Sequence, residues 1–160
     1  MVYSLKIMLK IKNKEMSNFP YTLSQSNPHS INKDYANWLS QMPWTFIATV
    51  RRHFPLSQFT CSIKSKQMLK RLPMLYSVFM VLEKDRGDDG MNHMHILLNT
   101  NGYPMSKADC SKGLGININA KAVNYFQKVE SPECVGIYCS KHIGTKAIEY
   151  DYWERQMLSF

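Results

Sequence analysis

Polar and apolar positions follow two rhythms along this chain, and each rhythm predicts an element. Leu5, Ile7, Leu9 and Ile11 alternate with Lys6, Met8, Lys10 and Lys12, a period of two that predicts an edge strand. Ser24 to Ser30 carries Asn27 and Pro28 and reads as a loop. Ile31 to Gln41 reads as a short helix with Ser30 as its cap and Tyr35, Trp38 and Leu39 as its apolar residues. The aromatic and β-branched run Trp44–Val50 predicts a buried strand. Pro55 and Ser57 open a helix reaching Leu72, with Phe59 and Ile63 at i,i+4, and Pro73 stops it.

Further on, Leu75–Glu83 and His93–Leu98 predict a hairpin of two strands around the connector Lys84–Asn92, which holds Gly87 and the Asp89-Gly90 pair. Met105–Lys112 reads as a short helix, and Ile116–Val123 as the site of another strand. Ser131-Pro132-Glu133 is a well-formed helix start: Ser caps, Pro suits the first position and Glu favours the positive end of the helix dipole. That helix is expected to run to His142 or Ile143 and end at Gly144. Strand, helix, hairpin, strand and helix in this order predict an α+β fold, an antiparallel sheet with helices packed on it. Residues 1–42 read as an N-terminal extension (edge strand, loop, short helix) and 43–160 as the main domain.

The 160 residues suit one domain of about 100–200. They leave no room for a second large catalytic domain beside it. The net charge of +8 is unevenly placed. No acid occurs from Tyr35 to Leu82, where Arg51, Arg52, Lys64, Lys66, Lys70 and Arg71 all lie, while acids gather around Glu83–Asp89 and toward the C-terminus. A basic half beside an acidic pocket suits a protein that grips a polyanion and concentrates a cation. Cys61, Cys110, Cys134 and Cys139 have neither CxxC nor zinc-ribbon spacing and read as reduced thiols. With no long apolar run and lysines throughout Met1–Lys14, neither a membrane span nor a signal peptide is expected, and the expected location is the cytoplasm.

The most informative segment is His93-Met94-His95-Ile96-Leu97-Leu98. On a strand, His93 and His95 share a face while Met94, Ile96 and Leu98 point into the opposite layer. Glu83 ends the paired strand and can come level with them. Two imidazoles and a carboxylate form a metal clamp with coordination positions left open. Asp88 and Asp89 sit in the turn and are expected only to raise the local negative potential.

Val81-Leu82-Glu83, the glycine-bearing turn and His93-Met94-His95 together resemble the metal motif of the HUH endonucleases, defined by histidine–hydrophobe–histidine. Tyr138-Cys139-Ser140-Lys141 is similar to that family's Y-x-x-K nucleophile motif, and Trp44–Val50 loosely resembles its first motif. The resemblance spans roughly Trp44 to Gly144. It departs where many relatives read Y-x-x-K-Y and this chain has His142, and there is no second tyrosine one turn away. Residues 1–42 have no counterpart.

What the resemblance implies is a ferredoxin-like replication initiator of a plasmid, phage or small virus. Glu83, His93 and His95 would hold Mg²⁺ or Mn²⁺, Tyr138 would attack single-stranded or hairpin origin DNA to form a 5′-phosphotyrosine, and Lys141 would steady the phosphate or phenolate. A phenol of pKa about 10 needs such help at neutral pH. His142 is a proton carrier with nothing yet to support it. Arg51, Arg52, Lys64, Lys66, Lys70 and Arg71 are the expected phosphate contacts, and Phe54, Tyr76 or Tyr103 could stack on bases. A single-tyrosine transposase or relaxase would share this chemistry. A ferrous oxygenase or cupin site, and a non-catalytic ferredoxin-like nucleic-acid binder with an incidental histidine pair, are the readings from other classes.

Overall fold

The computed structural model describes residues 28–55, 57, 59–84, 91–143 and 149–158. The strand expected at 5–11, most of the loop at 24–30, the centre of the 84–92 connector and Gly144 lie outside the described residues.

The chain forms α1 (Pro28–Ser40), β1 (Phe46–Arg52), α2 (Thr60–Arg71), β2 (Ser77–Lys84), β3 (Asn92–Asn99), α3 (Lys107–Leu114), β4 (Val123–Lys128), α4 (Pro132–Ser140) and β5 (Glu149–Glu154). Short 3-10 turns occur at Ile118–Ala120 and Arg155–Leu158. The strands pair antiparallel in the order β4-β1-β3-β2-β5. Strand β3 lies between β1 and β2, which α2 connects, and β4 adds outside β1. This is an α+β arrangement consistent with the ferredoxin-like type.

Strand alternation sends side chains into two separate cores. Val50, Met80, Leu82, Met94, Ile96 and Leu98 pack with Met68, Leu69 and Leu72 of α2 and Cys110 and Leu114 of α3. Ile47, Phe79, Val81 and Leu97 pack on the other face with Tyr35 and Leu39 of α1, Cys139 of α4 and Ile143. The sheet is thus the middle of three layers. Trp38 binds the second core together edge-on, its ring centroid 5.2 Å from that of Tyr152 and 6.1 Å from that of Phe79.

The boundaries differ from the sequence reading for local reasons. Helix α1 starts at Pro28, ahead of Ser30, using proline where its missing N–H costs nothing. Helix α2 starts only at Thr60, whose Oγ1 turns back to donate 2.6 Å to the Pro55 carbonyl. The strand expected within 116–123 is shifted to Val123–Lys128. Its place is taken by the 3-10 turn, opened by an Asn117 side chain that accepts 2.9 Å from the Asn119 amide and closed by Lys121 at φ +48°.

Strand β5 was not anticipated, since Glu149 and Asp151 interrupt its aromatics. Both acids have partners in the fold. Glu149 Oε1 accepts from the Cys61 amide in the first turn of α2, whose N-cap residue Phe59 has no side-chain cap of its own. Asp151 Oδ2 accepts from Trp153 Nε1 at 2.9 Å. After β5, the Arg155 guanidinium donates to the carbonyls of Leu69, Leu72 and Leu75 and closes the other end of α2.

Helix α4 crosses α1 at backbone distance because position 136 has no side chain. A Cβ there would lie 2.9 Å from the Ala36 carbonyl oxygen and 3.0 Å from the Ser40 amide. Gly136→Ala is expected to destabilise the protein by about 1–2 kcal/mol, because overpacking of about 1–3 kcal/mol outweighs the roughly 1 kcal/mol of helix propensity gained. Urea denaturation of this variant beside the exposed-site control Cys134→Ala checks it, and an unchanged midpoint for Gly136→Ala would contradict the close crossing.

Candidate metal centre

The β2–β3 register puts Glu83 directly opposite His93, and His95 two residues along presents its ring to the same face. Glu83 Oε2 lies 3.1 Å from His93 Nε2 and 4.0 Å from His95 Nε2. One ligand atom from each of the three residues falls within 4.8 Å of the other two, so the group could hold a metal ion. The His93 and His95 rings meet edge-on, 5.0 Å between centroids.

Thr49 sits opposite His95 on β1, and its Oγ1 is 3.0 Å from His95 Nδ1. With Nδ1–H donating to the hydroxyl, the lone pair of Nε2 faces Glu83, which is the tautomer a metal ligand needs. Burial, then the nearby charges of His93, Lys141 and His142, pushes the His95 pKa down to about 3, so the ring is neutral.

The fit to a cation rests on two orphaned atoms. His95 Nε2 and Glu83 Oε1 are both buried without a hydrogen-bond partner, on side chains only 2% and 7% exposed. Stranded polar atoms of this kind cost about 1–3 kcal/mol each. A cation between them would satisfy both, and a nitrogen and a carboxylate oxygen are suitable donors.

Helix α4 brings Tyr138 to the same face. Its inner stripe is Val135, Gly136, Cys139 and Ser140, leaving Cys134, Ile137 and Tyr138 outward. The Tyr138 ring meets the His95 ring edge-on with centroids 4.8 Å apart, and its residue is 44% exposed. Lys141 Nζ lies over the Tyr138 ring, 4.1 Å from its centroid. Partial burial raises the Tyr138 pKa, with the charges of Cys139, Glu83 and Tyr125 adding to it. Without a cation, then, this phenol is harder to ionise than a free tyrosine.

The helix stops at Ser140, short of the expected end, and Lys141–Ile143 forms a turn. Asn32 Nδ2 donates 3.2 Å to the Lys141 carbonyl, Ile143 is fully buried, and the turn carries His142 to within 4.0 Å of Glu83 Oε2.

The basic residues are divided. Arg51 lies opposite His93 on β1 and so shares the face of the metal group. Arg52 points to the other face, and Lys64, Lys66, Lys70 and Arg71 ride on α2, which packs on that other face. Three of them also have partners within the fold: Lys64 Nζ donates to the Leu114 carbonyl at 3.3 Å, Arg71 Nη1 to the Gly113 carbonyl at 3.2 Å, and Lys66 lies over the Trp153 ring. The structure therefore separates these five from Tyr138.

The aromatic candidates fare similarly. Phe54 is buried in the core beneath α2, and Tyr76 and Tyr103 sit at the opposite end of the strands, next to Asn99 and Thr100. The exposed aromatic beside the metal group is Tyr125 of β4, level with Thr49 and 46% exposed. Sequence reasoning missed Thr49 and Tyr125. The signal for both was alternation within Phe46–Arg52 and Val123–Lys128, which needed the register to be useful.

No helix among the described residues is long and apolar enough to cross a membrane. In comparisons with known proteins, no family model, curated protein or solved structure matches the chain.

Proposed function

We propose that the protein is a metal-dependent nicking and joining enzyme for single-stranded DNA, of the HUH replication-initiator type. The observation that carries this reading is the Tyr138 ring set 4.8 Å from His95, on the face where Glu83, His93 and His95 converge. A carboxylate–imidazole group with a phenol on a neighbouring helix suits phosphoryl transfer to tyrosine better than oxygen chemistry, in which Tyr138 and Lys141 would have no part.

Glu83, His93 and His95 would hold Mg²⁺ or Mn²⁺. When bound, such an ion withdraws charge from a non-bridging phosphate oxygen. Thr49 keeps the His95 Nε2 lone pair turned toward the group. Tyr138 Oη attacks phosphorus and loses its proton; the new bond is Oη–P, and the bond broken is P–O3′. The leaving 3′-oxygen takes up a proton, and because one ester replaces another, the 3′-hydroxyl can later attack the phosphotyrosine and restore the strand. Lys141, already over the ring, favours the phenolate and then the phosphate. Attack thus gets its electrostatic help from a group that would be absent from the metal-free protein, where Glu83 opposes ionisation.

The substrate reading follows from exposure. Tyr138, Tyr125 and Ile137 are all open to solvent, so an unpaired strand can lie over them, with Arg51 on the same face. Single-stranded origin DNA, or the unpaired part of an origin hairpin, is the proposed partner, with duplex opening left to a separate helicase.

The test is incubation of 5′- and 3′-labelled single-stranded DNA with the protein and Mn²⁺. The expected result is a denaturant-resistant protein adduct on the fragment 3′ to the nick, absent when EDTA replaces the ion. Across a randomised oligonucleotide pool, cleavage without any adduct, or no cleavage, would contradict the reading.

A further inference from the structure

The metal group faces a third imidazole, contributed from outside the sheet. Among the described residues, His142 stands on the turn that ends α4, and its Nε2 is 4.0 Å from Glu83 Oε2. That same oxygen is 3.1 Å from His93 Nε2 and 4.0 Å from His95 Nε2. Two donors on one ion, each at about 2.0–2.2 Å, are separated by no more than about 4.4 Å. All three separations from Glu83 Oε2 meet that limit.

We infer that His142 is a fourth metal ligand, and that the ion it shares with Glu83, His93 and His95 staples the catalytic helix to the sheet. The inference rests on the proposed metal site and adds who completes it and what that does. His142 stands outside the three residues whose ligand atoms all lie within 4.8 Å of one another, so ligation requires its imidazole to move inward toward His93 and His95. The turn is built to hold it near: Asn32 of α1 fixes the Lys141 carbonyl on one side of His142, and Ile143 is locked in the core on the other.

Two consequences follow. Three imidazoles to one carboxylate favour ions that accept nitrogen readily, so Co²⁺ and Zn²⁺ bind tighter than Mn²⁺ or Mg²⁺. And because His142 is four residues beyond Tyr138, binding the ion restrains the phenol. Metal loading would then arm the nucleophile by position as well as by charge.

The experiment uses the full chain without DNA. Co²⁺ is titrated into the parent, His142→Ala and His142→Gln while visible absorption is followed, and amide hydrogen exchange across α4 is measured with and without the ion. The expected result is Co²⁺ affinity at least about tenfold weaker in His142→Ala, an altered ligand-field spectrum, and slowing of α4 exchange by the ion in the parent alone. Equal affinity and spectrum in parent and both variants would overturn the fourth ligand while leaving the three-residue site standing. Failure of the parent itself to bind Co²⁺ would overturn the metal site and this inference with it.

Discussion

Tyr138→Phe is expected to lower strand cleavage by at least about a thousandfold and to abolish the covalent adduct, while leaving binding of single-stranded DNA and of metal nearly as in the parent. If Tyr138 is the proposed nucleophile, its deletion removes the bond-forming atom itself, which places the effect among the largest that a single catalytic change produces. The substitution is conservative for the fold because the ring stays. Its edge contact with His95 and the position of Lys141 above it depend on the aromatic ring, which phenylalanine keeps. A gel assay for the adduct, run beside fluorescence anisotropy for binding, separates the two effects. A variant that still forms the adduct would show that some other group attacks.

His95→Ala is expected to weaken metal binding by a hundredfold or so, since loss of even outer-shell partners of a metal ligand costs about 10–100-fold. The clearest readout is thermal stability. An ion at 100 times its Kd raises parent stability by about 2.7 kcal/mol, and the variant should show almost none of that rise. Metal-free stability should change less than an ordinary buried truncation would suggest, because the variant also removes a buried Nε2 that has no partner. Thr49→Val is the milder companion. It keeps the strand and the imidazole but removes the hydroxyl 3.0 Å from His95 Nδ1 that would hold the metal-binding tautomer, so affinity should fall by about tenfold. Differential scanning fluorimetry with and without Mn²⁺ measures all three proteins. A full metal-dependent rise in His95→Ala would place the ion elsewhere.

The sequence made the metal strand legible because both its signals are local. Alternation alone puts His93 and His95 on one face, and a short hairpin leaves Glu83 little choice of neighbour. The start of α4 was legible for the same reason, since Ser131 does accept from the Cys134 amide and Pro132 does open the helix.

What the sequence could not convey was which side of the sheet each helix covers. The run of basic residues on α2 looked suited to a strand crossing the site, yet its apolar stripe of Met68, Leu69 and Leu72 seats that helix on the far layer. Strand β5 escaped because a half-buried acid reads as a solvent-facing one until its partner is known. Glu149 finds the amide of Cys61, 88 residues away in sequence. His142 was read as a departure from a motif and as a proton carrier, not as a metal ligand, and its distance to Glu83 depends on a turn pinned by Asn32 from another helix.

Peptide mapping of the DNA adduct by mass spectrometry tests the central claim most directly, because it reads which oxygen bonded to phosphorus. The account predicts the nucleotide mass on the peptide containing Tyr138, formed only with a divalent ion present. Finding it on Tyr125, Tyr150 or a serine, or finding it equally in EDTA, would contradict the account.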